Sequence, residues 1–301
     1  MKKQLLIIAA SLSLMPVGNL FAVQNQTFIK STETLIAKNI SHSNHNESLM
    51  EKGDKKYKSK DYKGAITDYS KILINNPNDF HALFQRALAK SYLNDHVGAI
   101  KDYTKAIEID PKFSLAYANR GYSKDEIEDY EGAIEDFNKA IEIDPELSLA
   151  YSNRGYSKNK LNDNFGVIYD YTRLIELNPK DSWAFRSRGD AKLNLEDFYG
   201  AIYDYTRAIE IDPKDAIAYN NRCWSKYKMG KYKSALPDCN KSLLINPKDG
   251  NTYDSRGDVN FALDDKKGAC SDYKNAIANG QKQREKYLES DEGNWCRNMP
   301  D

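Results

Sequence analysis

Between Ser114 and Ile143, apolar and small residues recur at steps of three and four. In "SLAYANRGYSKDEI" the residues Tyr117, Gly121, Lys124 and Ile127 fall on one face, the spacing of a helix. "EDY" interrupts the pattern, and "EGAIEDFNKAIEI" resumes it with Ala133, Phe137, Ala140 and Ile141 on one face of a second helix. So short a break makes the two helices antiparallel neighbours. Gly121 and Ala133 are small where the helices cross, and Tyr117 and Phe137 fill the wider gaps. Pro111 ends the element before them.

The same line is written repeatedly. "AIEIDPKFSLAYANRGYSK" begins at Ala106, and "AIEIDPELSLAYSNRGYSK" begins 34 residues later at Ala140. Pro77, Pro111, Pro145, Pro179, Pro213 and Pro247 keep that step, as do Gly64, Gly98, Gly132, Gly166, Gly200 and Gly268, with Ser234 in the sixth place. A period of 34 marks a tandem two-helix repeat, in which neither helix is stable alone.

Several columns hold phase together. They are the small residue before the turn (Gly53, Ala87, Gly121, Gly155, Gly189, Cys223, Gly257), an alanine after it (Ala65, Ala99, Ala133, Ala201, Ala235, Ala269, with Val167 once), an aromatic four residues on (Tyr69, Tyr103, Phe137, Tyr171, Tyr205, Tyr273, with Cys239 once), and the closing proline. On these columns the chain resembles the tetratricopeptide repeat family, of the exported bacterial type. The resemblance implies an all-α fold: a right-handed superhelix, or α-solenoid, of seven tandem helix-turn-helix repeats plus a C-terminal capping helix, with first helices lining a concave groove. The expected units are 46–79, 80–113, 114–147, 148–181, 182–215, 216–249 and 250–283, followed by a capping helix and tail over 284–301.

Charge departs from the family pattern. Arg86, Arg120, Arg154, Arg188, Arg222 and Arg256 stand where leucine is usual, with Lys90, Lys124, Lys158, Lys192 and Lys226 four residues further. The column suggests either a cationic stripe for an acidic ligand or a set of packing-face cations. An equally complete column, Asp68, Asp102, Asp136, Asp170, Asp204, Asp238 and Asp272, favours the second, because a buried charge needs a partner.

Function is expected on the groove. Gln85, Asn119, Asn153 and Asn221 form one column of amides, each a donor and an acceptor for the backbone of an extended peptide. Tyr122, Tyr156, Trp183, Trp224 and Tyr227 add apolar contact. Relatives that clamp a terminal carboxylate do so with Lys, Asn and Arg; Met50, Asp54, Gln85, Leu115 and Asn119 lack those cations, so that activity does not carry over.

Residues 1–22 have two lysines, an apolar run from Leu5 to about Met15, and Ala22 at a cleavage position, the layout of a secretory signal peptide. A run this short spans a bilayer poorly, though retention as a membrane anchor is the alternative. Residues 23–45 are rich in Ser, Thr, Asn and Gln and read as a linker. Export to a periplasmic or extracellular setting agrees with four cysteines: Cys223 faces Cys239 across one helix pair, and Cys270 is within reach of Cys296 in the tail.

The 44 basic and 44 acidic side chains balance, which argues against non-specific nucleic-acid binding. No phosphate-cradling loop, nucleophile elbow or metal-ligand spacing occurs, so no cofactor, metal or catalytic residue is expected. The sequence therefore predicts a non-catalytic protein-interaction scaffold, with a structural part in an envelope assembly as the alternative.

Overall fold

The computed structural model describes residues 44–297 and Met299; the expected signal peptide and residues 23–43 of the expected linker lie outside the described residues. The described residues form sixteen helices and no strand, and they divide into two compact units, residues 44–163 and 164 onward. The first unit holds α1 (Asn44–Lys58), α2 (Tyr62–Asn75), α3 (Phe80–Tyr92), α4 (His96–Ile109), α5 (Ser114–Asp125), α6 (Tyr130–Ile143) and α7 (Ser148–Lys160). The second holds α8 (Asn164–Leu177), α9 (Ser182–Asn194), α10 (Phe198–Ile211), α11 (Ala216–Lys228), α12 (Tyr232–Ile245), α13 (Gly250–Ala262), α14 (Lys266–Ala278), α15 (Lys282–Glu289) and α16 (Asn294–Arg297).

Five helix pairs within the units close on one ring and one small residue. Tyr69, Tyr103 and Phe137 in the first unit, and Tyr205 and Tyr273 in the second, are buried against the small residue of their partner helix. The approach is so close that a Cβ added at Gly257 would lie 2.4 Å from Cε1 of Tyr273. In the sixth repeat the same two places are taken by Cys223 and Cys239, which are joined as a disulfide with Cα atoms 5.5 Å apart.

The turns explain the other glycine column. Asp61, Asp95, Asp129, Asp197 and Asp265 each accept from the backbone N–H of the glycine three residues on. Such a cap is worth about 1 kcal/mol. A Cβ at Gly64 would come within 2.1 Å of Asp61 Oδ2, so the cap and the glycine go together. Where Ser234 replaces glycine, Lys231 replaces the aspartate and the side-chain cap is gone.

The cations are paired. Arg120 on α5 donates from Nε and Nη2 to both carboxylate oxygens of Asp136 on α6, at 2.8 and 2.6 Å, and from Nη1 to Thr104 Oγ1 on α4, at 3.1 Å. Lys124 completes the group 2.9 Å from Asp136. One guanidinium thus ties a first helix to the second helix of its own pair and to that of the pair before. The arrangement recurs as Arg86 with Asp102 and Ser70, Arg188 with Asp204 and Thr172, Arg222 with Asp238 and Thr206, and Arg256 with Asp272 and Asn240. Arg154 reaches back to Asn138 at 2.6 Å. In the first pair, which has no described pair before it, the position holds an exposed lysine, Lys52. The stripe is a packing lattice, as the aspartate column implied.

The end of the second unit is covered. Arg284 on α15 is half-buried between Asp254 and Asp258 of α13 and lies 4.0 Å from the centre of the Tyr273 ring. Cys270 is joined to Cys296, and Trp295 beside it packs on Phe261 and Tyr273, ring centres 5.2 and 6.2 Å away.

Candidate functional site

In the first unit, the amides lie deeper than an open groove requires. Asn119 and Asn153 are almost wholly buried, and Gln85 is half-buried. The Nδ2 of Asn119 donates to Leu115 O at 2.7 Å, while its Oδ1 has no hydrogen-bond partner; in Asn153 it is Nδ2 that lacks one. Consecutive repeats therefore hold an unmatched acceptor and an unmatched donor, each costly to leave so. Tyr122 and Tyr156 are half-buried beside them, and Lys160 sits 5.2 Å from the centre of the Tyr156 ring.

Asp125 lies on the same stretch of α5, buried, accepting from Ser157 Oγ at 2.7 Å. Burial pushes its carboxyl up to about 7, against the pull of the Ser157 hydrogen bond and Lys160, with Glu126 and Asp129 adding to the rise. The folded state therefore binds a proton more tightly than the unfolded chain, and stability falls as pH rises from about 4 to about 7, by up to about 4 kcal/mol from this group. Asp125→Asn is expected to remove that slope and raise the melting temperature at pH 7.5 but not at pH 4; parallel thermal melts of both proteins across this range check it.

The second unit arranges its predicted residues differently. Asn221 is satisfied: its Nδ2 donates to Asp190 Oδ1 at 2.8 Å, and its Oδ1 accepts from Asn220 at 3.3 Å. Asp190 also accepts from the Tyr205 hydroxyl at 2.7 Å, and Arg186 binds Asp215 at 2.9 Å within the same buried cluster. Burial pushes the Asp190 carboxyl up, with Arg186 pulling the other way. Trp183 is half-buried and packs edge-on against Tyr171, ring centres 5.1 Å apart, at the margin of a core cluster. Trp224 and Tyr227 do come together, stacked at 5.1 Å and half-exposed, with Lys228 over the Trp224 ring.

Two features escape the sequence reading. One is the Ser, Thr and Asn column that accepts from each arginine. The other is a pairing in three of the repeats: Asp54, Asp190 and Asp258 accept from the hydroxyls of Tyr69, Tyr205 and Tyr273, fifteen residues on, whereas Tyr103 has Leu88 at that place and its hydroxyl has no partner. Where the ring is Phe137, the matching place holds Tyr122 instead. Among the described residues there is no group of three His, Cys, Asp or Glu side chains placed to hold a metal ion.

Comparison with known proteins agrees with this repeat geometry. Residues 114–147 and 216–249 match one model described as a tetratricopeptide repeat, and residues 80–113 match a second model of the same description. The chain is a tetratricopeptide repeat protein. Solved structures of the same fold include the C-terminal part of a TPR repeat-containing protein from Cytophaga hutchinsonii, with a TM-score of 0.64 at 18% identity, covering 79% of this chain and 98% of that one. A tetratricopeptide repeat protein from Parabacteroides merdae gives a TM-score of 0.59 at 22% identity, covering 82% and 98%. YrrB, described as a TPR protein with an unusual peptide-binding site, gives 0.56 at 24% identity, covering 61% and 95%. At these identities the likeness concerns the fold. No curated protein matches the chain. Tetratricopeptide repeats generally bind proteins or peptides, which supports a protein-interaction scaffold as the coarse function of this chain; the fold is one typical of non-catalytic repeat scaffolds.

Proposed function

We propose that this tetratricopeptide protein acts outside the cytoplasm, without catalysis, by binding an extended peptide or protein segment along its first helices. The observation that carries the reading is the pair of unmatched amide atoms, Asn119 Oδ1 and Asn153 Nδ2, lying beside the half-buried rings of Tyr122 and Tyr156. A peptide bond offers one N–H and one C=O, the complement of that acceptor and donor, which are covered in the free protein and are uncovered by side-chain movement as the peptide docks, while the rings supply apolar contact to its side chains. Gln85 extends the row on one side, while Trp224 and Tyr227 form a separate aromatic contact in the second unit. Export is supported by the signal-like N-terminus and by the two disulfides, which persist in oxidising compartments. No described helix is long and apolar enough to cross a membrane.

The test is affinity capture of extracytoplasmic proteins on the mature chain and on a variant carrying Asn119→Ala, Asn153→Ala, Tyr122→Ser and Tyr156→Ser. Asn221 is left in place because it supports Asp190. A partner retained by the first and weakened at least about tenfold by the second, with the variant still folded, is the expected result. Equal retention by both moves recognition to another surface and favours the alternative, a structural part in an envelope assembly.

A further inference from the structure

Four large aromatic side chains stand on the outer faces of two neighbouring second helices. Phe165 and Tyr169 lie on α8, Tyr199 and Tyr203 on α10, and each is between 58% and 75% exposed. Within each helix the spacing is four residues, so the pair forms one stripe, and the two stripes keep the same register, 34 residues apart. The two helices flank α9, whose Arg188 guanidinium donates at once to Thr172 on α8 and Asp204 on α10.

The fold does not ask for these rings. The same two places in the other repeats hold Lys63 and Thr67, Val97 and Lys101, Glu131 and Glu135, Lys233 and Pro237, and Lys267 and Ser271. At their exposures the four rings present on the order of 500 Å² of surface, a size at which the largest patch on a protein is often functional.

We propose that this patch is a two-fold contact between two copies of the chain. Two such faces pressed together remove on the order of 1,000 Å² from water, the lower limit for a specific interface. Two parallel ridges of rings with a furrow between them are self-complementary under a two-fold axis, since each copy's ridge enters the other's furrow. Charge agrees. Further along the same helices, Arg173 pairs with Glu176 and Arg207 with Glu210, so each face is locally neutral and meets its own copy without repulsion. Lys231 lies over the Tyr199 ring at 4.9 Å, a single rim charge and too little for a polyanion.

Sedimentation equilibrium of the whole protein over a concentration series is the test. The expected result is a monomer–dimer equilibrium that saturates at twice the chain mass, weakened at least about tenfold by Tyr169→Lys with Tyr203→Lys, at an unchanged melting temperature. A second variant guards against misfolding: the described cysteines are all paired, so Tyr203→Cys adds one unpaired thiol, which should form an interchain disulfide under mild oxidation. A protein monomeric at every concentration overturns the proposal, as does a dimer indifferent to both changes. So does a monomer that binds soluble polysaccharide through the same four rings, since sugar faces also stack on aromatics.

Discussion

Arg120→Leu is expected to cost about 3 kcal/mol of unfolding free energy, because it leaves the buried Asp136 carboxylate with Lys124 as its remaining cationic partner. It also frees Thr104 and cuts the tie between α5 and the preceding second helix. The loss should appear as a lower urea midpoint, with the native far-UV circular dichroism kept in the absence of denaturant. Combining Arg120→Leu with Asp136→Leu should recover much of the loss, since removing a whole buried pair is far less damaging than removing half of one. A single variant as stable as the parent would show that the arginine contributes nothing beyond its solvated alternative. An equal loss in single and double variants would assign the effect to packing rather than to charge.

The second large effect concerns the sixth repeat. Cys223→Ala with Cys239→Ala is expected to cost about 3 kcal/mol in the chain-entropy description of a loop this short. The loss should be greater if the cavity left between α11 and α12 does not collapse. Elsewhere those two places hold a glycine, or once an alanine, and a ring, so Cys223→Gly with Cys239→Phe should restore most of the stability without a bridge. Phenylalanine is the right choice because Trp224 stands where Asp54, Asp190 and Asp258 would accept a tyrosine hydroxyl. Urea denaturation of the three proteins without reductant checks this. Failure of the Gly–Phe pair to outperform the Ala–Ala pair would mean that the sixth repeat has lost the geometry of the others.

The helix pairs were legible because period and periodicity are local properties of the chain: the step of 34 and the three-four spacing around Tyr117 and Phe137 need no knowledge of tertiary contacts. The pairing of Arg120 with Asp136 and of Cys223 with Cys239 was legible too, because columns in phase imply proximity across one antiparallel pair. Contacts reaching back to the previous pair were not. Thr104 looks like any exposed helix threonine until Arg120 is seen to need a third partner. Depth was hidden as well. Asn119 and Asn221 occupy the same place in their repeats, yet one keeps an unmatched oxygen and the other is fully used, because Asn220 donates to the Asn221 oxygen while Ala118 stands at the matching place before Asn119. The position of Trp183 in its repeat does not disclose that one edge of its ring is taken up by Tyr171.

Both cross-links fall between Cys223 and Cys296, spanning 16 and 26 residues. Under tension between the ends of the chain, force passes through the sulfur atoms and bypasses the enclosed segments. Roughly 140 Å of extended backbone thus stays unavailable to stretching for as long as both bridges are intact. The N-terminal repeats have no such shunt among their described residues. A pull strong enough to unravel helices would draw out the N-terminal side and leave the C-terminal end short, so the chain is mechanically polar although its repeats follow one pattern.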